Sequence, residues 1–364
     1  MKPRVVVVMH SYLEGREALC EQGLYPRHHL WGLDALAAGG WEVRLVSSAA
    51  RRSLLGWLGR VTGGRLGNFA QEWGAWRRLG GADVLYVVTT TDLFWLPLLR
   101  RCGLIRAKIV AWHYVPPAPA PAWTARGWKQ SALIGRGLDG VACLTERAAA
   151  HFRRRLPLAR VERIDWGVDT AMFRPVEPPL DGGFFLSCGK TERDLPALIA
   201  GVTGTRHQVR LVVPQTSLAG LSLPPNVVHA AGPRTAFDDR GASYPDLIAR
   251  LYAPAIAFLI PLAPHPNNAS GYTNLLEAFA MGKPVVMTRT GCIDLDLERE
   301  GAGFYVEPGD PAGWARALDR LAGDPALARA MGVRARRLAE RHFSCACFGE
   351  RLRGFLDRVC PPVS

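Results

Sequence analysis

SGYTNLLEAFAMGKPVV, Ser270 to Val286, is the stretch that decides how this 364-residue chain is read. It opens on small polar residues, continues as a helix with Leu275, Leu276, Phe279 and Ala280 on its apolar side, and stops at Gly282 before a strand. Such a helix feeding a short apolar strand is half of a βαβ unit. A helix that starts on Ser270, Gly271 and Thr273 presents unpaired N–H groups and the positive end of its dipole, which suits a diphosphate. An ordinary capped helix of an α/β domain fits the same residues, and physics alone favours it.

Outward from this stretch, the same alternation of apolar runs and amphipathic segments fills the chain. The first half offers strands at Val5–Met9, Glu42–Ser47, Val84–Val88, Ile109–Trp112, Gly140–Leu144 and Arg160–Ile164, with a helix expected over His28–Ala38. The second half offers Phe184–Ser187, Val209–Val213, Val227–Ala230, Ile256–Ile260, Pro284–Met287 and Gly303–Val306. The expected fold class is therefore α/β, two Rossmann-like doubly wound parallel sheets facing a central cleft that takes a ligand at the strand ends. The expected boundaries are a first domain over 1–172, a Pro- and Gly-rich linker over 173–183, a second domain over 184–345, and a C-terminal helix in 346–364 that returns to the first domain.

Composition bounds the function. The chain is 48% hydrophobic and 21% charged, which is globular rather than disordered, and its length suits two domains. Net charge is +13, and residues 1–150 carry 19 basic against 10 acidic side chains, so the excess is concentrated there. That asks for an acidic partner, with a codon bias toward Arg as the competing reading. The eight cysteines include no C-x-x-C pair, and no run reaches the length of a membrane span. A cytoplasmic protein with reduced thiols is expected.

Three segments together resemble the retaining GT-B glycosyltransferases of the family 4 type. They are Ser270–Val286, the run DWGVDTAMFRP from Asp165 to Pro175, and GFYVEPGDPAGWARALDRLAGDP from Gly303 to Pro325. The resemblance spans nearly the whole chain and implies a donor site in the second domain and an acceptor site in the first. It implies that Glu277 holds the ribose hydroxyls of a nucleotide and that the turn Ser270, Gly271, Tyr272, Thr273 and Asn274 lies beneath the diphosphate. The family's other glutamate, eight positions earlier, is replaced here by Ala269. In the loop FLSCGKTERDLPAL, Gly189 is followed by Lys190 and Arg193, which the resemblance assigns to the leaving diphosphate. His113, just past a first-domain strand, is implied near donor and acceptor, where it orients rather than abstracts; a structural histidine is the plainer reading of the residue itself. His10, Tyr12 and Tyr114 are acceptor-side candidates.

Other signals weigh less. Asp294 and Asp296 form a D-x-D string of the kind that binds metal in another glycosyltransferase fold, but an exposed loop is the better reading, and no metal or other cofactor is expected. No G-x-G-x-x-G follows Val5–Met9 and no nucleic-acid motif accompanies the basic charge, so nucleic acid is not an expected partner. Residues 51–78 interleave Arg51, Arg52, Arg60, Arg65, Arg77 and Arg78 with Trp57, Phe69, Trp73 and Trp76. They suit either an anionic membrane face or burial of the aromatics in the first domain. The expected function is sugar transfer from a UDP- or GDP-sugar to an unidentified acceptor. An epimerase or phosphorylase on the same fold, and a non-catalytic nucleotide-sugar-binding protein, are the alternatives.

Overall fold

The computed structural model describes residues 4–9, 15–46, 69–88, 93–113, 137–178, 182–230, 243–264 and 269–361. His10, Tyr12, Tyr114 and residues 51–68 lie outside them. The chain divides into two compact units, one made of Met1–Ala18, His28–Trp166 and Ala346–Ser364, the other of Leu19–Arg27 and Gly167–Cys345.

Each unit is built on one six-stranded parallel sheet. The first holds β1 (Val5–Met9), β2 (Glu42–Val46), β3 (Val84–Val87), β4 (Lys108–His113), β5 (Gly140–Cys143) and β6 (Arg160–Arg163), in the order β2-β1-β3-β4-β5-β6. The second holds β7 (Phe184–Cys188), β8 (Gln208–Val212), β9 (Val227–His229), β10 (Phe258–Ile260), β11 (Val285–Thr288) and β12 (Gly303–Val306), in the order β12-β11-β10-β7-β8-β9. Central strands such as β1, β3, β5 and β7 are buried at every residue, because helices cover both faces of a parallel sheet. That is why they read as unbroken apolar runs in the sequence.

In the second sheet the strand order reverses between β7 and β10, which pair through Phe258 and Leu186. A doubly wound sheet opens a crevice at such a reversal, beyond the carboxyl ends of the two strands. Helix Leu195–Val202 leaves that point from β7, with Asp194 accepting from the Ala197 N–H at 3.2 Å as its cap. Helix Tyr272–Ala280 leaves it from β10; helix Pro311–Gly323 packs on Leu195–Val202, and helix Pro325–His342 on Tyr272–Ala280.

The C-terminal helix, Cys345–Val359, packs with the first sheet's unit. Phe348, Leu352, Phe355 and Leu356 are buried, and Arg358 forms a two-pronged pair with Glu162 on β6 at 3.0 and 2.6 Å.

The expected helix over His28–Ala38 is corrected. A 3-10 turn, Arg27–Leu30, is separated from an α-helix, Leu33–Ala38, by Trp31 and Gly32, whose φ angles are +56° and +84°. The break has a packing cause. Trp31 stacks on Trp166 at 4.6 Å and meets Trp112 edge-on at 4.9 Å, while a Cβ at Gly32 would sit 2.7 Å from Leu352.

Candidate functional site

The loops that follow β7 and β10 clasp each other at the reversal point of the second sheet. Asp194 donates its N–H to the Pro261 carbonyl at 3.2 Å, and Ala263 donates to the Glu192 carbonyl at 3.1 Å. The clasp brings the cation-bearing loop 189–194 against the start of helix Tyr272–Ala280.

Gly189 makes this possible. Its φ is +129°, and a Cβ there would lie 1.9 Å from Nη2 of Arg193. Arg193 folds back over the glycine and donates from Nε and Nη2 to the Cys188 carbonyl at 3.1 and 3.0 Å. Its Nη1 reaches the Thr191 carbonyl at 2.8 Å, and Nη2 reaches Asn274 Oδ1 at 2.7 Å. All these acceptors are neutral, so they orient the guanidinium without cancelling its charge. Burial lowers its pKa to about 10, and it stays protonated at neutral pH.

The bonds continue inward. Asn274 Nδ2 donates to Glu277 Oε2 at 3.3 Å, and the Tyr252 hydroxyl donates to the same oxygen at 3.1 Å. Glu277 is 2% exposed, and burial pushes its carboxyl up to about 7 against the pull of the two bonds. Arg193, Asn274, Glu277 and Tyr252 thus form one chain of polar groups under the strand ends.

Gly271 caps the helix at φ +84°, and a Cβ there would meet Ile260 Cγ2 at 2.5 Å, so the helix start lies directly on the end of β10. Ser270 donates to Glu192 Oε2 at 3.3 Å, and Glu192 itself holds a φ of +51°. Lys190 is exposed on the same loop, Tyr272 is buried and Thr273 is half-buried.

The structure therefore brings Gly189, Arg193, Ser270, Gly271, Asn274 and Glu277 together. His113 belongs to the other unit. It ends β4, is buried, and packs its ring against Phe152 at 4.7 Å. Burial, helped by the nearby His151, lowers its pKa to about 4, so the imidazole is neutral at physiological pH. Asp294 and Asp296 are exposed, and Asp296 Oδ1 accepts the N–H groups of Glu298 and Arg299, both at 3.1 Å.

Two contributors went unread in the sequence, Tyr252 and Glu192. Tyr252 lies 25 positions before Glu277 inside an apolar run, where it looks like core. The only sequence sign of Glu192 is its place between the two cations.

Residues 198–324 match the family described as Glycosyl transferases group 1, a span that includes Tyr252, Asn274 and Glu277. The D-inositol 3-phosphate glycosyltransferase of Corynebacterium jeikeium (strain K411) is 36% identical over 102 residues, 28% of this chain and 24% of that protein. The chain spans less than half the length of the curated relatives it matches. Among solved structures, sucrose-phosphate synthase from Thermosynechococcus elongatus aligns with a TM-score of 0.69 at 16% identity, over 98% of this chain and 99% of that one. Anabaena HepE in complex with UDP-glucose aligns at 0.63 and 14%, over 98% and 99%. At these identities the structures establish the fold, which is GT-B. The similarity to the group 1 glycosyltransferases is thus carried by residues 198–324, about a third of the chain.

Proposed function

We propose that this chain transfers a sugar, with retention and without a metal ion, from a UDP- or GDP-sugar bound to its second unit. The observation that carries the reading is the polar chain Arg193–Asn274–Glu277 at the reversal point of the second sheet. Its two ends suit the two ends of a nucleotide diphosphate. The Glu277 carboxylate accepts hydrogen bonds from the ribose hydroxyls. Arg193, Lys190 and the N–H groups at the start of helix Tyr272–Ala280 hold the diphosphate, whose charge grows as the glycosidic bond breaks. A neutral His113 donates or accepts a hydrogen bond at the acceptor side without adding charge, and His10, Tyr12 and Tyr114 are further acceptor-side candidates. The departing phosphate oxygen takes the acceptor proton, so no strong protein base is needed.

The test is a melting screen with UDP, GDP and their sugars, followed by donor turnover with and without EDTA. A nucleotide at 100 times its dissociation constant adds about 2.7 kcal/mol of stability. Slow donor hydrolysis that survives excess EDTA is the expected result, with Asp294→Asn and Asp296→Asn close to neutral. Loss of turnover with EDTA, restored by Mn²⁺, would overturn metal independence. Release of an altered nucleotide sugar without acceptor points to an epimerase, phosphate-dependent turnover to a phosphorylase, and binding with no turnover to a non-catalytic sensor.

A contact with anionic membrane through residues 51–78 extends this reading. Within the described part, helix Phe69–Arg78 turns its polar residues inward: Glu72 accepts the backbone N–H groups of Phe94 and Leu96 at 3.0 and 2.8 Å, and Gln71 donates to the Val46 carbonyl. Trp73 and Trp76 face outward, 47% and 44% exposed, beside the exposed Arg77 and Arg78. No described helix is long and apolar enough to cross a membrane. The chain is expected to sediment with phosphatidylglycerol vesicles, and Trp73→Ser with Trp76→Ser to weaken that binding at least about tenfold, as the loss of two interfacial indoles implies. Equal sedimentation of the double variant would remove this helix from any membrane contact.

A further inference from the structure

We infer that Tyr252 is the positioning residue for the ribose-binding carboxylate, fixing Glu277 through a hydroxyl that the nucleotide itself never touches. The inference rests on the donor-site reading above and adds to it a residue from outside the two loops that form the site.

The backbone supplies the first argument. Helix Tyr244–Leu247, closed at its start by a capping box between Ser243 and Asp246, does not continue as an α-helix but widens into a π-helical turn, Ile248–Tyr252. Such turns shift the angular position of the residues that follow and recur at functional sites. Here the shift ends on Tyr252.

Packing then removes the ring's freedom. Phe173 stacks on it at 5.8 Å, Phe258 meets it edge-on at 4.9 Å, and both are fully buried. Phe173 is itself held in the Asp165–Pro175 run, whose Thr170 and Phe173 carbonyls are bound by Arg336. A ring clamped on two sides presents its hydroxyl in one direction, toward Glu277 Oε2. Asn274 reaches the same oxygen from within the helix, so two donors from different elements fix the carboxylate's rotation.

The surroundings make the effect readable by pH. Around this carboxylate are Asn274 on its own helix, Tyr252 on the π-turn and Cys188 at the end of β7, which also hydrogen-bonds Tyr252; Arg193 of the following loop is linked to it through Asn274, and Tyr244 interacts with Tyr252. Arg336, from helix Pro325–His342, bonds the Ala280 carbonyl at the far end of the Glu277 helix. Burial pushes the Cys188 thiol and the Tyr252 phenol up, so both stay neutral, and Arg193 stays charged. The titration near neutrality is that of Glu277, and the Tyr252 bond favours its ionised form. Removing the hydroxyl therefore moves the Glu277 midpoint to higher pH.

The experiment measures UDP and GDP binding by calorimetry between pH 6 and 9 for the wild type, Tyr252→Phe, Glu277→Gln and the double variant. Tyr252→Phe is expected to bind the preferred nucleotide about tenfold more weakly at pH 7, the scale of one charge-assisted hydrogen bond, with the deficit shrinking toward pH 9. In the Glu277→Gln background the same change should cost less than about twofold, since it acts through the carboxylate. A ¹³C titration of the Glu277 carboxyl in the ligand-free chain should show the upward shift directly. Asn274→Ala, which removes the other bond to Oε2, should shift it the same way if Tyr252→Phe fails to fold.

An unchanged midpoint, a loss equal at every pH, or full additivity with Glu277→Gln overturns the role of Tyr252 while leaving the donor site standing. A wild type that binds neither UDP nor GDP overturns the donor site and this inference together.

Discussion

Glu277→Gln is expected to weaken nucleotide binding about a hundredfold, the largest effect on affinity of any single change in the second unit. Losing a hydrogen bond to a charged group costs roughly 1.5–3 kcal/mol, and the carboxylate is proposed to accept two from the ribose. Glutamine keeps the shape and can still meet Tyr252 and Asn274, so stability should fall little. Glu277→Ala is a different experiment. It strands the Tyr252 hydroxyl and the Asn274 amide in the interior, at roughly 1–3 kcal/mol for each buried orphan, and mixes unfolding into the binding measurement. The same carboxyl, pushed up to about 7 by burial, makes wild-type affinity rise as pH increases through neutrality, because the ionised form is the better acceptor. Calorimetry with the preferred nucleotide, beside a melting curve, checks both. Unchanged affinity in the Gln variant removes Glu277 from the site.

The sheets were legible in the sequence because parallel strands covered on both faces must be apolar throughout. Runs such as Val5–Met9 and Phe184–Cys188 leave little alternative once turn signals bound them. The helix break at Trp31 and Gly32 was not legible, since its cause is an indole stack with Trp166 and the approach of Leu352, more than 100 and 300 positions away. The candidate site divides on the same principle. Arg193, Asn274 and Glu277 were named from the family resemblance, whose motifs are local patterns, a loop after a strand and a helix start. Tyr252 escaped because its role depends on a π-turn and on two clamping rings, and neither leaves a periodic trace. Sequence also gave Lys190 and Arg193 equal standing as cations. The structure distinguishes them: Lys190 is exposed, whereas Arg193 is held in place by three neutral oxygens.

That distinction sets the second large effect. Arg193→Ala is expected to lower kcat by about 10²–10³ while donor affinity falls much less, the pattern of a group that stabilises charge appearing mainly in the transition state. Lys190→Ala should cost less, because the charge of an exposed ammonium is screened by water. Arg193 also ties the loop to Asn274, so its removal alone does not separate charge from architecture. Two companion variants do. Arg193→Lys keeps the charge but cannot reproduce the fork that spans Cys188, Thr191 and Asn274, and should recover only part of the loss. Gly189→Ala leaves the arginine intact but puts a methyl where its guanidinium lies, 1.9 Å from Nη2, at a φ of +129° that alanine resists. The guanidinium must move, so Gly189→Ala should reproduce most of the kcat loss of Arg193→Ala. Steady-state kinetics with the donor in excess read the comparison. A Gly189→Ala enzyme with wild-type turnover would mean that the folded-back guanidinium is not the working position, and wild-type turnover in Arg193→Ala and Lys190→Ala alike would remove the loop from the diphosphate altogether.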